Sequence, residues 1–247
     1  MMPQSVPAPA APDRQRMLIL SDSEDLSERK SSVFARLSES EQTQVLAHCT
    51  PRLARRHAMV FRQGETQQGI FFIRSGGVRV FFVAPSGREI TRAYWFAGHF
   101  IGGPDVFGQN ANMWSAIAVR DTSLIFLPSP ALRILCGRIP NLALGLIDAM
   151  AFKGRCYAAM AQMLGTRSAS ERVARLLVHL AEMYGTPGAD GTEISLTITQ
   201  EEIAHMVGAS RQWVTAGLKR LQSAGIIEAR RGKMLIRDLD ALRADKG

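Results

Sequence analysis

The chain has 247 residues, 46% hydrophobic and 21% charged, the composition of an ordinary globular protein with room for two domains. Its longest apolar stretches fall far below the roughly 18 residues needed to span a bilayer, and the opening MMPQSVPAPAAPD lacks the basic and apolar regions of a secretory signal, so no membrane role and a cytoplasmic location are expected. A net charge of +8 points to an anionic partner, while three scattered cysteines (Cys49, Cys136, Cys156) without CxxC spacing argue against a disulfide framework, a zinc site or an iron–sulfur cluster.

Residues 1–30 run from a Pro/Ala tract into the acidic SDSEDLSE and hold too little apolar surface to pack, which predicts a mobile extension. Ser38 and Glu41 have capping-box spacing and predict a helix, with Val45 and Leu46 following as its apolar positions. Between residues 57 and 128, short runs rich in Val, Ile and Phe are expected as strands: Met59 to Phe61, Ile70 to Ile73, Val78 to Val83, Ile90 to Trp95, Ser115 to Val119 and Leu124 to Leu127. The turn signals between them, such as Ser75-Gly76-Gly77 and Pro85-Ser86-Gly87, predict an antiparallel barrel or jelly roll rather than a parallel sheet.

After Pro140 the period changes. Leu142, Leu146, Met150, Lys153, Tyr157, Met160 and Leu164 recur at spacings of 4 and 3, a stripe expected to face a partner helix, with a core helix inside the chain as the alternative. Ser168 to Glu171 restarts a helix with Val173, Leu176, Leu177 and Leu180 on one side, and Thr186-Pro187-Gly188 is read as a loop.

Thr199 to Glu202 is a second capping box, opening a short helix that buries Ile203, Met206 and Val207 before a turn at Gly208-Ala209. Ser210 caps a further helix in which Val214, Leu218 and Leu221 share one face, while Arg211, Gln212, Thr215, Ala216 and Lys219 lie opposite. Such a pair of helices is suited to placing Arg and Gln against base edges in a major groove. Gly225 ends the helix, and two short strands flank Arg230-Arg231-Gly232-Lys233 as a basic wing for phosphate contact. Residues 203–237 carry seven Lys or Arg against Glu228 alone, and this concentration favours DNA over a merely solvated surface.

In order, the capping box, turn, Ser-Arg helix start, LKRL run, glycine and wing of TITQEEIAHMVGASRQWVTAGLKRLQSAGIIEARRGKMLIRD resemble the Crp/Fnr family of bacterial transcription regulators. Upstream, FRQGETQQGIFFIRSGGVRVFF with Gly64-Glu65, and WFAGHFIGG, are similar to that family's β-roll; the likeness extends over roughly residues 38–243. The resemblance implies an α+β protein: a cyclic-nucleotide-binding-like antiparallel β-roll sensor over 31–137, a dimerisation helix over 138–167 and a winged helix-turn-helix over 168–247. It implies a homodimer on a pseudo-palindromic operator in double-stranded DNA, with RNA polymerase as a further candidate partner. Thr199, Ser210, Arg211, Gln212, Thr215, Ala216, Lys219, Arg230, Arg231 and Lys233 are the expected DNA-contacting set.

The departures from the family pattern carry expectations too. Cyclic-AMP-binding members hold the phosphate with a Gly-Glu and an Arg-Ser pair, but here Gly103 replaces the Glu and Met113 or Trp114 the Arg, so the usual mode of binding is not expected. The resemblance places Gly102, Gly103, Trp114, Ser115 and Tyr157 at the effector pocket, where the aromatic rings suit an aromatic or apolar ligand; a different anion held by other side chains stays open. The Cys-rich N-terminus of oxygen-sensing members is absent, and haem would need an axial ligand from His48, His57 or His99. Gln212 stands where many members have Glu and Ala216 where many have Arg, so a different half-site is expected. An enzyme is not expected: a cupin-like jelly-roll metal enzyme needs clustered His and carboxylate ligands, and none of the five histidines forms such a pair. A β-roll interaction module that does not bind DNA leaves the basic helix-turn-helix without a purpose.

Overall fold

The computed structural model describes residues 32–108, 110–194, 198–230 and 233–246; the extension expected over residues 1–30 lies outside them. A 3-10 turn at Val33–Arg36 leads into α1 (Glu39–Leu46), whose capping box forms as its spacing requires: the Ser38 hydroxyl accepts from the Glu41 amide, and the Glu41 carboxylate accepts from the Ser38 amide at 2.8 Å. Eight strands follow: β1 (Thr50–Ala54), β2 (Met59–Phe61), β3 (Gly69–Ser75), β4 (Gly77–Val83), β5 (Glu89–Phe96), β6 (Phe100–Ile101), β7 (Ser115–Ala118) and β8 (Thr122–Pro128). They form two antiparallel sheets, ordered β1-β8-β3-β6 and β2-β7-β4-β5, which close on one another as the expected β-roll. Thr50–Ala54 and Phe100–Ile101 escape the sequence reading because the first is mostly exposed and lacks an apolar run, and the second is only two residues long.

Helix α2 (Ser129–Arg138) then meets α3 (Pro140–Thr166) at a sharp bend that Pro140 permits, since proline is tolerated in the first helical turn. No single helix among the described residues is long and apolar enough to cross a membrane. α4 (Ala169–Tyr184) begins with the Ser168–Glu171 capping box, followed by β9 (Gly185–Gly188) and β10 (Gly191–Ile194). The stretch read as a loop at 186–188 is thus corrected to an edge strand, held by antiparallel pairing with β10 rather than by side-chain burial. α5 (Gln200–Val207), α6 (Arg211–Ser223), β11 (Ile227–Arg230), β12 (Lys233–Ile236) and α7 (Leu239–Ala244) complete the chain, with the sheet order β11-β12-β10-β9.

α3 is the spine. Leu142, Leu146 and Ala149 pack with Val33, Phe72 and Leu132; Phe152 and Cys156 enter the roll interior with Trp95 and Val78; Met163 joins the core of the winged helix. β5 bridges two cores by strand alternation: Ala93 and Trp95 point into the roll, whereas Tyr94 and Phe96 belong to the cluster of Ile203, Val207 and Leu218. The sensor and the DNA-binding part therefore share buried apolar surface.

The stripe expected to form a partner seam turns in part into the chain itself. Leu142, Leu146 and Met160 are no more than 4% exposed within the single chain, and Met150, Lys153, Tyr157 and Leu164 are half-buried. Leu142, Leu146 and Met160 thus serve the chain's own fold, while the other four keep part of their surface exposed. The exposed face lies elsewhere on the helix: Leu144 (47% exposed), Ile147 (62%), Ala151, Gly154, Ala158, Ala161 and Gly165, again at spacings of 3 and 4. A helix with two such stripes is ambiguous to a periodicity argument, and the larger side chains covered the roll.

Candidate nucleic-acid interface and ligand cavity

α5 and α6 are set by local chemistry. The Thr199 hydroxyl accepts from the Glu202 amide, Gly208 takes the left-handed conformation (φ 64°) that ends α5, and the Ser210 hydroxyl accepts from the Trp213 amide to start α6. Gly208 also gives Leu164 room, since a Cβ there would lie 3.3 Å from the Leu164 side chain. Val214, Leu218 and Leu221 are buried, while Arg211, Gln212, Ala216 and Lys219 are exposed. Arg211 and Lys219 have no ion-pair partner among the described residues, whereas Arg220, Lys233 and Arg237 pair with Asp245, Glu193 and Glu228.

Two of the expected DNA-contacting residues bond within the protein. The half-buried Thr215 hydroxyl lies 2.5 Å from Gln200 Oε1 and 2.9 Å from the Arg211 carbonyl oxygen, tying α6 to α5. Thr199 is engaged with Glu202 Oε2 at 2.9 Å. Trp213, 40% exposed and placed so that a Cβ on Gly217 would lie 3.7 Å from its ring, is an exposed aromatic on the reading helix that the sequence reading passed over; its place two residues after Arg211 was the available signal. On the wing, Arg230 pairs with Lys233 across the ladder; Arg231, Gly232 and the Arg230 side chain lie outside the described residues.

In the roll, Gly102, Gly103, Trp114 and Tyr157 line one cavity of about 150 Å³, together with Trp95, Phe100, Met150 and Lys153. Ser115 does not: it is buried, and its hydroxyl accepts from the Gln63 amide at 3.0 Å. Met113, 57% exposed, is turned to solvent. Both Gly102 (φ 106°) and Gly103 (φ 93°) hold positive φ, which carries the chain sharply round the cavity rim.

The walls are aromatic and one cation enters them. Lys153 Nζ lies 3.5 Å from the centre of the Trp95 ring and 4.8 Å from that of Phe100, enclosed by protein yet keeping some accessible surface because it borders the cavity. It has no carboxylate partner among the described residues, and burial pushes its ammonium down to about 7, an effect weakly opposed by Cys156. Burial, then repulsion from Lys153, lowers His99 to about 4. Arg92 stacks on Trp114 and Tyr157 with its Nε buried and unbonded, and burial raises the Tyr157 phenol to about 12 despite Arg92. Of the histidines considered for haem, His99 stacks on Phe152 and approaches Trp95, while His48 and His57 are exposed. No group of three or more His, Cys, Asp or Glu among the described residues is arranged to hold a metal ion.

Residues 51–138 match the cyclic nucleotide-binding domain model, and residues 171–245 the Crp-like helix-turn-helix domain model. The chain is 25% identical to the regulatory protein HlyX of Actinobacillus pleuropneumoniae over 83% of its own length and 86% of that protein. It is 28% identical to the transcriptional activator protein FnrA of Stutzerimonas stutzeri over 76% of its length and 77% of the relative. Its fold is shared with CLP of Xanthomonas campestris, a c-di-GMP-responsive global regulator, at a TM-score of 0.72, 22% identity and coverage of 81% and 99% of the two chains. With a β-roll, a long helix and a winged helix-turn-helix in this order, the chain belongs to the Crp/Fnr family of DNA-binding transcription regulators.

Proposed function

We propose that the protein works as a homodimer in the cytoplasm, reading a two-fold operator with α6 and gating that reading through the cavity in its roll. The reading rests above all on Arg211 and Lys219, exposed and without an ion-pair partner among the described residues, beside Gln212 and opposite a buried Val214–Leu218–Leu221 face. Arg211 and Gln212 carry base choice, Trp213 adds an apolar contact, and Ser210 and Lys233 hold phosphates. Arg230 and Arg231 extend that phosphate grip along the wing. Ala216, short and exposed, leaves room for a base pair to approach without specifying it.

The dimer forms through the Leu144, Ile147, Ala151, Gly154, Ala158, Ala161 face. Exposed apolar residues at coiled-coil spacing, with small side chains that let two backbones approach, support this assignment. Two α6 helices would then lie about one DNA turn apart. Gly154 belongs to both the seam and the cavity wall, so a ligand beside it acts directly on the dimer contact. Cyclic AMP does not fit this cavity in the family manner, because Gly103 offers no carboxylate and Met113 points outward.

Selection of bound sequences from a random duplex pool, followed by gel shifts across a salt series, tests the reading. A two-fold consensus with a steep salt dependence is expected. Binding that is monomeric or indifferent to sequence overturns it.

A further inference from the structure

The cavity is shaped for a particular ligand chemistry. Its volume of about 150 Å³ equals that of engineered apolar cavities that take a single benzene ring, whereas a cyclic nucleotide carries four rings. Its walls are ring faces (Trp95, Phe100, Trp114, Tyr157), and the polar group they enclose is a cation, Lys153, without a carboxylate partner among the described residues. An unpaired buried ammonium is unfavourable in a protein interior, and the aromatic faces offset only part of that penalty. A second guanidinium, Arg92, stacks on two of the lining rings and adds positive charge to the same side of the roll.

Resting on the assignment of this cavity as the effector site, we propose that the ligand is a small monocyclic aromatic anion, its ring between Trp114, Tyr157 and Trp95 and its carboxylate or phenolate on Lys153. The ring supplies apolar contact and stacking, and the anion gives Lys153 the missing partner. An aliphatic anion forfeits the stacking; a neutral arene leaves the ammonium unpaired. Because Lys153 sits on α3 one residue before Gly154 of the exposed face, drawing its head group onto an anion moves the part of α3 that meets the second subunit.

The test uses the full-length protein, with benzoate, benzamide, cyclohexanecarboxylate and cyclic AMP as probes. Binding is followed by tryptophan fluorescence and calorimetry, and DNA affinity by gel shift on the selected operator. Benzoate is expected to bind at least ten times more tightly than either benzamide or cyclohexanecarboxylate. Lys153→Met should abolish the preference for benzoate over benzamide, and Trp114→Ala should weaken benzoate and benzamide together. Equal binding of benzoate and benzamide, benzoate preference surviving in Lys153→Met, or no binding of benzoate overturns the proposal. Cyclic AMP binding that shifts operator affinity overturns this ligand class but leaves the effector-site assignment standing; loss of operator binding in all states sinks the regulator reading itself.

Discussion

Arg79 of β4 donates from Nη1 to His205 Nδ1 of α5 across 3.2 Å, joining the sensor roll to the first helix of the DNA-binding pair. The other arm of the same guanidinium holds Glu89 at 2.5 Å. For the imidazole to accept, it must be neutral, with its proton on Nε2. Burial first, and then the Arg79 charge, lower the His205 value from its ordinary 6.5 against the opposing pull of Glu89, so it stays neutral at pH 7.

This contact makes docking acid-sensitive. A histidine whose folded value is depressed contributes stability that is complete above its unfolded value and lost as pH falls through the folded one. Protonation of the folded protein, which comes only below that ordinary value, sets imidazolium against guanidinium. Thermal unfolding at pH 7.5 and 5.5 should show a loss of stability that is smaller in His205→Gln by about 0.5–1.5 kcal/mol, the scale of one hydrogen bond, because His99, His179 and Lys153 titrate in both proteins. An identical pH response in the variant would show that His99, His179 and Lys153 carry the whole effect.

Lys153→Met should stabilise the ligand-free protein by about 1–4 kcal/mol at pH 7 or below, because it replaces an unpaired buried cation by an apolar side chain of similar length. With a folded value of about 7 against an ordinary 10.5, the wild-type penalty is complete below pH 7 and fades as pH rises towards 10.5, and the advantage of the variant fades with it. Denaturant titrations at pH 6.5 and 9.5 measure both.

The two faces of α3 give opposite phenotypes. Ile147→Glu, at a position 62% exposed, should yield folded monomers with weakened operator affinity. Leu146→Glu, at 3% exposure, places a charge in the core and should destabilise the fold by more than about 3 kcal/mol. Light scattering and circular dichroism on both variants separate these outcomes.

On DNA, Arg211→Ala should cost about 1–3 kcal/mol at the selected operator and relax base choice at one position. Lys233→Ala should weaken all duplexes alike and lower the salt slope by about 1, although its pairing with Glu193 means that part of its charge is already engaged. Gel shifts on operator and mismatched duplexes at several salt concentrations read both effects.

Local chemistry in the sequence determined the elements whose causes are local. Ser38, Ser168 and Thr199 each find their Glu three residues on, Gly208 ends α5, and Val214, Leu218 and Leu221 define the buried face of α6 by helical spacing alone. Runs rich in Val, Ile and Phe between turn signals also marked the longer strands of the roll. What depended on distant partners was decided only by the tertiary structure. α3 carries two stripes at the same spacing, and which one packs inward followed from the position of the roll, not from the helix. Ser115 and Thr215 are hydroxyls whose acceptance from Gln63, 52 residues away, and bond to Gln200, 15 residues away, no spacing rule foretells. Lys153 read as a polar interruption of an apolar seam; folding brought Trp95 and Phe100 beneath its ammonium and, among the described residues, no carboxylate, because electrostatic partnership is a matter of three-dimensional proximity.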